Sequence, residues 1–294
     1  MIARVRPNLR SRLAQKDILV APGVFDGISA RIADQMGFEA LYMTGYGAVA
    51  SHLGLPDAGI ATYTEMVGRV AVIANAAQTP LIADGDTGYG GLLNVQYTVR
   101  GYEAAGALAI QLEDQEFPKK CGHMLGRRVV PIYDMVDKIK VAVSSRDDDN
   151  FLIIARTDAR TALGLDEALR RAEAYARAGA DILFIESPES IEEMRTIGRA
   201  VDRPLVANMV EGGRTPVADE KTLKELGYSI AIFPAFGFLA AGAALRGAYG
   251  YLKEHGSSVG ADIPLYRFSE FSELMGFGAV AAFDRAHSGS TRQR

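Results

Sequence analysis

Leu81-Ile82-Ala83-Asp84-Gly85-Asp86-Thr87-Gly88-Tyr89-Gly90 is the stretch on which the fold turns. A short apolar run stops at a carboxylate and passes into glycine-rich chain. Runs without polar alternation suit strands buried on both faces, as in parallel sheets. Outward from 81–84 the same shape recurs at 18–22, 40–44, 108–113, 152–156, 182–186, 205–208 and 230–234, giving eight predicted strands. Helical spacing fills the gaps at 26–36, 64–77, 94–105, 131–143, 166–178, 190–201, 219–226 and 239–254. Gly37 stops the first of these helices, Asn94 is expected to cap the third, and Pro131 to stand in the first turn of the fourth. Asp166 and Glu167 open the fifth and arginines follow, which matches the helix dipole.

This alternation predicts an α/β fold, a (β/α)8 TIM-type barrel of ~250 residues. One domain is expected over 1–283, with the small, polar stretch 284–294 as a disordered tail. A doubly wound open sheet is the alternative. Its first strand would lead into a G-x-G-x-x-G loop, whereas here Pro22-Gly23-Val24-Phe25-Asp26-Gly27 follows.

Composition narrows the function classes. Hydrophobic residues make up 48% and charged residues 23%, the range of globular proteins. The net charge of −4 and the lack of basic runs interleaved with aromatics argue against nucleic-acid partners. No stretch approaches the ~20 apolar residues of a membrane span. Cys121 is the only cysteine, so no intrachain disulfide forms, which fits a reducing, cytoplasmic location. The expected partner is a small molecule.

Polar groups gather at the C-terminal ends of the predicted strands: Thr44-Gly45-Tyr46-Gly47, Asp84 and Asp86, Glu113-Asp114-Gln115, Arg156-Thr157-Asp158, Glu186, and Asn208 with Glu211. In a barrel these ends converge on the face that carries active sites. Asp84, Asp86 and Glu113 would repel one another unless a cation sat among them, and hard oxygen donors select Mg²⁺ or Mn²⁺. The bland alternative is that they cap helices or pair with Arg156. Lys119-Lys120-Cys121-Gly122-His123 is either a solvated basic turn around an inert thiol or a place that favours the thiolate. Arg156 is either structural or a two-donor partner for a substrate carboxylate. Gly45 and Gly47 are turn glycines or places where backbone N–H groups face an oxyanion.

Asp84–Gly90, Glu113–Gln115 and Lys119–His123, together with Ile154-Ala155-Arg156-Thr157-Asp158-Ala159 and the run from Ala207 to Pro216, resemble the isocitrate lyase/phosphoenolpyruvate mutase superfamily. The resemblance runs from about residue 19 to 272. It implies a (β/α)8 barrel assembled as a homotetramer, a dimer of dimers that swap the C-terminal helix. It implies Mg²⁺ held directly by Asp84, with Asp57, Asp86 and Glu113 acting partly through water. Thr44, Gly45 and Tyr46 would hold the α-keto acid end of the substrate, and Arg156 a carboxylate. His123, Glu186, Asn208 and Glu211 would line the far end. Cys121 would be the general acid within a mobile gate formed by 119–123, with Lys119, His123 and Glu186 also among the catalytic groups.

The Cys-Gly-His gate resembles the lyase branch rather than phosphoenolpyruvate mutases. Met124-Leu125-Gly126-Arg127-Arg128, in place of the Arg-Pro-Asn-Lys of methylisocitrate lyases, looks more like the 2-alkylmalate/2,3-dimethylmalate lyases and petal death protein. Leu239 stands where methylisocitrate lyases have an arginine. The expected activity is Mg²⁺-dependent cleavage of a 2-hydroxy dicarboxylate, of the 2-alkylmalate or methylisocitrate type, to an α-keto acid such as pyruvate and a carboxylic acid. The alternatives are an oxaloacetate hydrolase, a phosphoenolpyruvate mutase-like P–C enzyme, and a non-catalytic metal-binding barrel, which would show loss of Cys121, Arg156 or a ligand aspartate.

Overall fold

Each of the eight apolar runs is a strand in the computed structural model, which describes residues 8–15, 17–122 and 124–288. They are β1 Leu19–Val24, β2 Leu41–Met43, β3 Leu81–Asp84, β4 Ala109–Glu113, β5 Leu152–Thr157, β6 Ile182–Ile185, β7 Val206–Asn208 and β8 Ile230–Phe233. All pair in parallel, in the order β6-β5-β4-β3-β2-β1-β8-β7. A parallel bridge between Leu183 and Leu205 joins β6 to β7 and closes the ring. The fold is a (β/α)8 TIM-type barrel.

The helices are α1 Leu9–Leu13, α2 Gly27–Gln35, α3 Gly45–Leu53, α4 Tyr63–Ala76, α5 Leu92–Ala105, α6 Ile132–Ser145, α7 Ala159–Leu163, α8 Leu165–Arg177, α9 Ile191–Ala200, α10 Glu220–Glu225, α11 Phe236–His255, α12 Phe268–Leu274 and α13 Phe277–His287. Asp26, Thr62, Ser190 and Asp219 each accept a hydrogen bond from the backbone N–H three residues on, which starts α2, α4, α9 and α10. Two expected helix starts differ. Gly91 precedes α5, and Asn94 stands inside it, its Oδ1 accepting from Gly91 N at 3.1 Å. Pro131 is the cap before α6 rather than a residue of its first turn.

Two apolar clusters follow from strand pleating. Side chains such as Leu19, Tyr42, Ile82, Ile154, Phe184 and Ile232 fill the barrel interior. The opposite faces meet the helices through Met43, Ile110, Ile153, Val70, Val99 and Tyr175. α1 crosses the N-terminal ends of the strands and inserts Leu9 and Leu13 into the interior cluster. Arg10 reaches Asp181 at 2.7 Å, before β6, and Arg12 reaches Glu39 at 2.6 Å, before β2. The barrel floor is thereby plugged.

The chain divides into two units, Met1–Leu239 and Ala240–Arg294. The second holds most of α11 with α12 and α13, and α11 and α13 carry no buried residue. Residues 284–287, expected in the tail, are part of α13. Among the described residues no helix is long and apolar enough to cross a membrane.

Candidate active site

The site is built where β3, β4, β5 and β6 run out of apolar sequence. Asp84 ends β3, Glu113 ends β4, Arg156 stands one residue from the end of β5, and Glu186 follows β6. All four are buried. Asp86 lies two residues beyond Asp84 at φ +49°, held by its backbone N–H donating to Asp84 Oδ1 at 3.0 Å. Gln111, on the interior face of β4, donates to the same oxygen at 3.3 Å and accepts from Tyr42 Oη at 2.9 Å.

Lys119 stands among these carboxylates. Its ammonium is ion-paired with Asp57 and lies 2.6 Å from Asp86 Oδ1. Burial lowers its pKa, but the charges of Asp86 and Asp57 outweigh this and hold it well above the usual lysine value. Burial raises Asp57 against the pull of Lys119. Asp84 is pushed up to about 6 by burial and by the charge of Asp86. Burial likewise carries Glu113 well above the carboxylate range, with Arg156 pulling it back in part. Lys119 thus brings a positive charge to Asp57 and Asp86.

The residues suit a divalent ion by donor chemistry. The donors are all carboxylate oxygens, the set that hard cations take. Asp86 Oδ1 is buried and has no hydrogen-bond partner, since its approach to Lys119 lacks hydrogen-bond geometry. As the side chains stand, no three of the described His, Cys, Asp and Glu residues are drawn together closely enough to hold a metal.

Arg156 is enclosed by acids. Its Nε and Nη2 both donate to Asp158, each at 2.9 Å. Glu113 Oε2 lies 3.5 Å from Nε and Glu186 Oε2 lies 3.4 Å from Nη2. The guanidinium carbon stands 5.2 Å over the Phe184 ring. Burial disfavours the charge, but Asp158, Glu113 and Glu186 together hold the arginine firmly cationic. Asn208 Nδ2 donates to Glu186 Oε2 at 3.0 Å. One edge of the Arg156 fork is therefore committed to Asp158, and any substrate carboxylate meets the rest.

Gly122 lies against this cluster. A Cβ placed on Gly122 would fall 2.8 Å from Glu186 Oε2 and closer still to Arg156 Nη2. A side chain there would force Arg156 or Glu186 to shift. Cys121 is half-buried beside it. His123, expected to line the pocket, lies outside the described residues.

Thr44 caps α3, its Oγ1 accepting from Gly47 N at 3.4 Å. Gly45 begins that helix 2.6 Å, measured from an added Cβ, from Asp84 Oδ2, so the α3 N-terminus abuts Asp84. Tyr46 is half-exposed and meets Phe238 edge-on, ring centroids 5.1 Å apart. Glu211 is exposed in the turn after β7 and is not brought into the buried group.

Three residues given no role from sequence belong to this region. Asp158 grips Arg156. Arg127 is ion-paired with Asp158 and donates to Thr161 Oγ1 at 2.7 Å and to the Met124 carbonyl at 3.1 Å. Ser187 contacts the 119–127 segment from below. The spacing Arg156-x-Asp158 was a readable signal for the first, because alternate residues at a strand end share a face. Arg127 and Ser187 carry no such signal.

The chain matches the family model described as phosphoenolpyruvate phosphomutase over residues 9–252. It is 51% identical to a 2,3-dimethylmalate lyase of Eubacterium barkeri, over 93% of this chain and 94% of that one. Its structure superposes on an oxaloacetate acetylhydrolase in complex with the inhibitor 3,3-difluorooxalacetate with a TM-score of 0.91, at 36% identity and covering 97% of each chain. It also superposes on a phosphonopyruvate hydrolase complexed with oxalate and Mg²⁺ with a TM-score of 0.87, at 31% identity, covering 96% and 98%.

Proposed function

Because the chain belongs to the phosphoenolpyruvate mutase/isocitrate lyase superfamily, we propose that it is a Mg²⁺-dependent carbon–carbon lyase acting on a 2-hydroxy dicarboxylate. The 2-alkylmalate type is preferred and 2,3-dimethylmalate is the first substrate to test, giving pyruvate and propionate. The observation that supports this reading is the packing of Gly122 against Arg156 and Glu186, with the single cysteine its neighbour in sequence.

Cleavage passes the proton of the 2-hydroxyl to a base and breaks the C2–C3 bond. The electron pair passes to the departing fragment as an enolate, which takes a proton at C3. Cys121 supplies that proton as general acid. Arg156 holds the carboxylate whose charge grows, with Glu186 and Asn208 fixing its orientation. The N–H groups opening α3, from Gly45 and Tyr46, and the Thr44 hydroxyl receive the keto-acid end beside Asp84. The covering segment keeps water from the enolate. Asp84, Asp86, Glu113 and Asp57 are the residues that would hold Mg²⁺, or Mn²⁺ in its place, which supplies a Lewis acid for the developing carbonyl.

Hydrolysis of oxaloacetate to oxalate and acetate is the second reading, favoured by the close superposition on the acetylhydrolase. A panel of 2,3-dimethylmalate, 2-methylisocitrate and oxaloacetate with Mg²⁺ separates them. Pyruvate from the first two supports the lyase, oxalate plus acetate from the third supports the hydrolase, and no turnover of any acid refutes both. We further propose a homotetramer in which the C-terminal helices exchange between subunits, and a cytoplasmic setting that keeps the thiol reduced. Support comes from exposed Leu245, Tyr249, Leu252, Phe277, Val280 and Phe283 on α11 and α13, an apolar series unlike an ordinary solvated helix face. Light scattering of the purified protein reads the mass directly.

A further inference from the structure

Ser187 follows Glu186 at the mouth of the barrel, fully buried, and takes no part in the chemistry above. Its φ of +60° is rare for a residue with a side chain. That backbone aims its hydroxyl at the underside of the 119–127 segment. Oγ lies 3.0 Å from the Gly122 carbonyl oxygen, 3.0 Å from Glu186 Oε1 and 3.3 Å from Arg127 Nη2.

A hydroxyl has one proton and two lone pairs. The guanidinium of Arg127 cannot accept, so it donates to Ser187. The single proton of Ser187 then has two acceptors at equal distance and serves one at a time. One is the backbone of the covering segment. The other is a carboxylate of the proposed substrate site.

The segment is fixed at both ends. Lys120 N donates to Gln115 Oε1 at 3.0 Å, and Gln115 Nε2 donates to the Lys120 carbonyl at 2.8 Å. Arg127 is tied into Asp158 at the other end. Between these clamps Met124 and Leu125 are exposed, while Gly122 is buried against Ser187.

We propose that Ser187 is a positioning residue that latches the covering segment, its hydroxyl turning its one hydrogen bond from Glu186 Oε1 to the Gly122 carbonyl as the segment lies down. Seating the segment thus withdraws the Ser187 hydrogen bond from Glu186 Oε1. The hydroxyl couples the position of the acid to the state of the binding carboxylate. The inference rests on the lyase reading of this site.

Cys121 is the only cysteine, so its alkylation by iodoacetamide reports the segment's position independently of turnover. The test compares wild type with Ser187→Ala and Ser187→Gly, in Mg²⁺ with and without oxalate. With oxalate, both variants are expected to label about 3–10 times faster than wild type, the factor for one neutral hydrogen bond. The kcat falls by a similar factor, while KM and oxalate inhibition stay within about twofold. Glycine relieves the backbone and alanine does not, so agreement between them assigns the effect to the hydroxyl. Wild-type labelling rates in both variants would overturn the latch, as would loss of oxalate inhibition together with kcat. Failure of the wild type on the substrate panel would overturn the lyase reading instead, and the labelling comparison would still judge the latch.

Discussion

Replacing Lys119 by Met should destabilise the metal-free protein and make it depend on Mg²⁺ for its stability. The substitution keeps the length of the side chain and deletes the ammonium that lies between Asp57 and Asp86. Lys119 is 3% exposed and each partner 7%, so water does not fill the role. Removing one side of a buried ion pair costs about 3–5 kcal/mol. Proton uptake by Asp84, already pushed up to about 6, offsets part of this and favours the lower end. At roughly 2–4 °C per kcal/mol for a large domain, a loss of about 3 kcal/mol lowers Tm by ~6–12 °C. A cation at about 100 times its Kd returns ~2.7 kcal/mol. In the wild type the ammonium must first give way, so Mg²⁺ should raise Tm more in the variant. Scanning calorimetry near neutral pH, in EDTA and in excess MgCl₂, reads both effects. A variant within about 2 °C of wild type in EDTA, or an equal Mg²⁺ increment in both proteins, would refute the argument that these carboxylates require a cation.

Two further substitutions address the chemistry. Cys121→Ser keeps the size but is a far weaker acid, so kcat should drop by ~10²–10⁴ with oxalate inhibition and Tm little changed; near-normal cleavage would reject the thiol as the proton source. Arg156→Lys exchanges a planar fork, one edge of which is held by Asp158, for a point charge, and should lower kcat/KM by about 10–100-fold, the worth of one lost charge-assisted bond; steady-state kinetics showing no change would make the residue purely structural.

The barrel was legible because fully buried strands leave an unbroken apolar signature, and 81–84 and 182–185 fall where that signature predicts. The short helices α1, α3 and α7 were not. α3 begins Gly45-Tyr46-Gly47, which reads as a turn until the Thr44 cap is seen, and α1 is specified by what its two leucines bury. At the site, residues ending consecutive strands were readable because the fold gathers them. Asp57 and Lys119 meet across 62 positions of sequence, and nothing local announces that contact. The same holds for Arg127 and Ser187, whose partners come from other loops. Glu211, expected at the far end of the pocket from the resemblance, is exposed in the turn after Asn208.

The plug made by Leu9 and Leu13 has a kinetic consequence. A tube closed at its floor has a single doorway, so the incoming acid and both fragments share one passage. Because the interior is packed with side chains, the acid and both fragments stay at the mouth and leave by the face through which the acid entered.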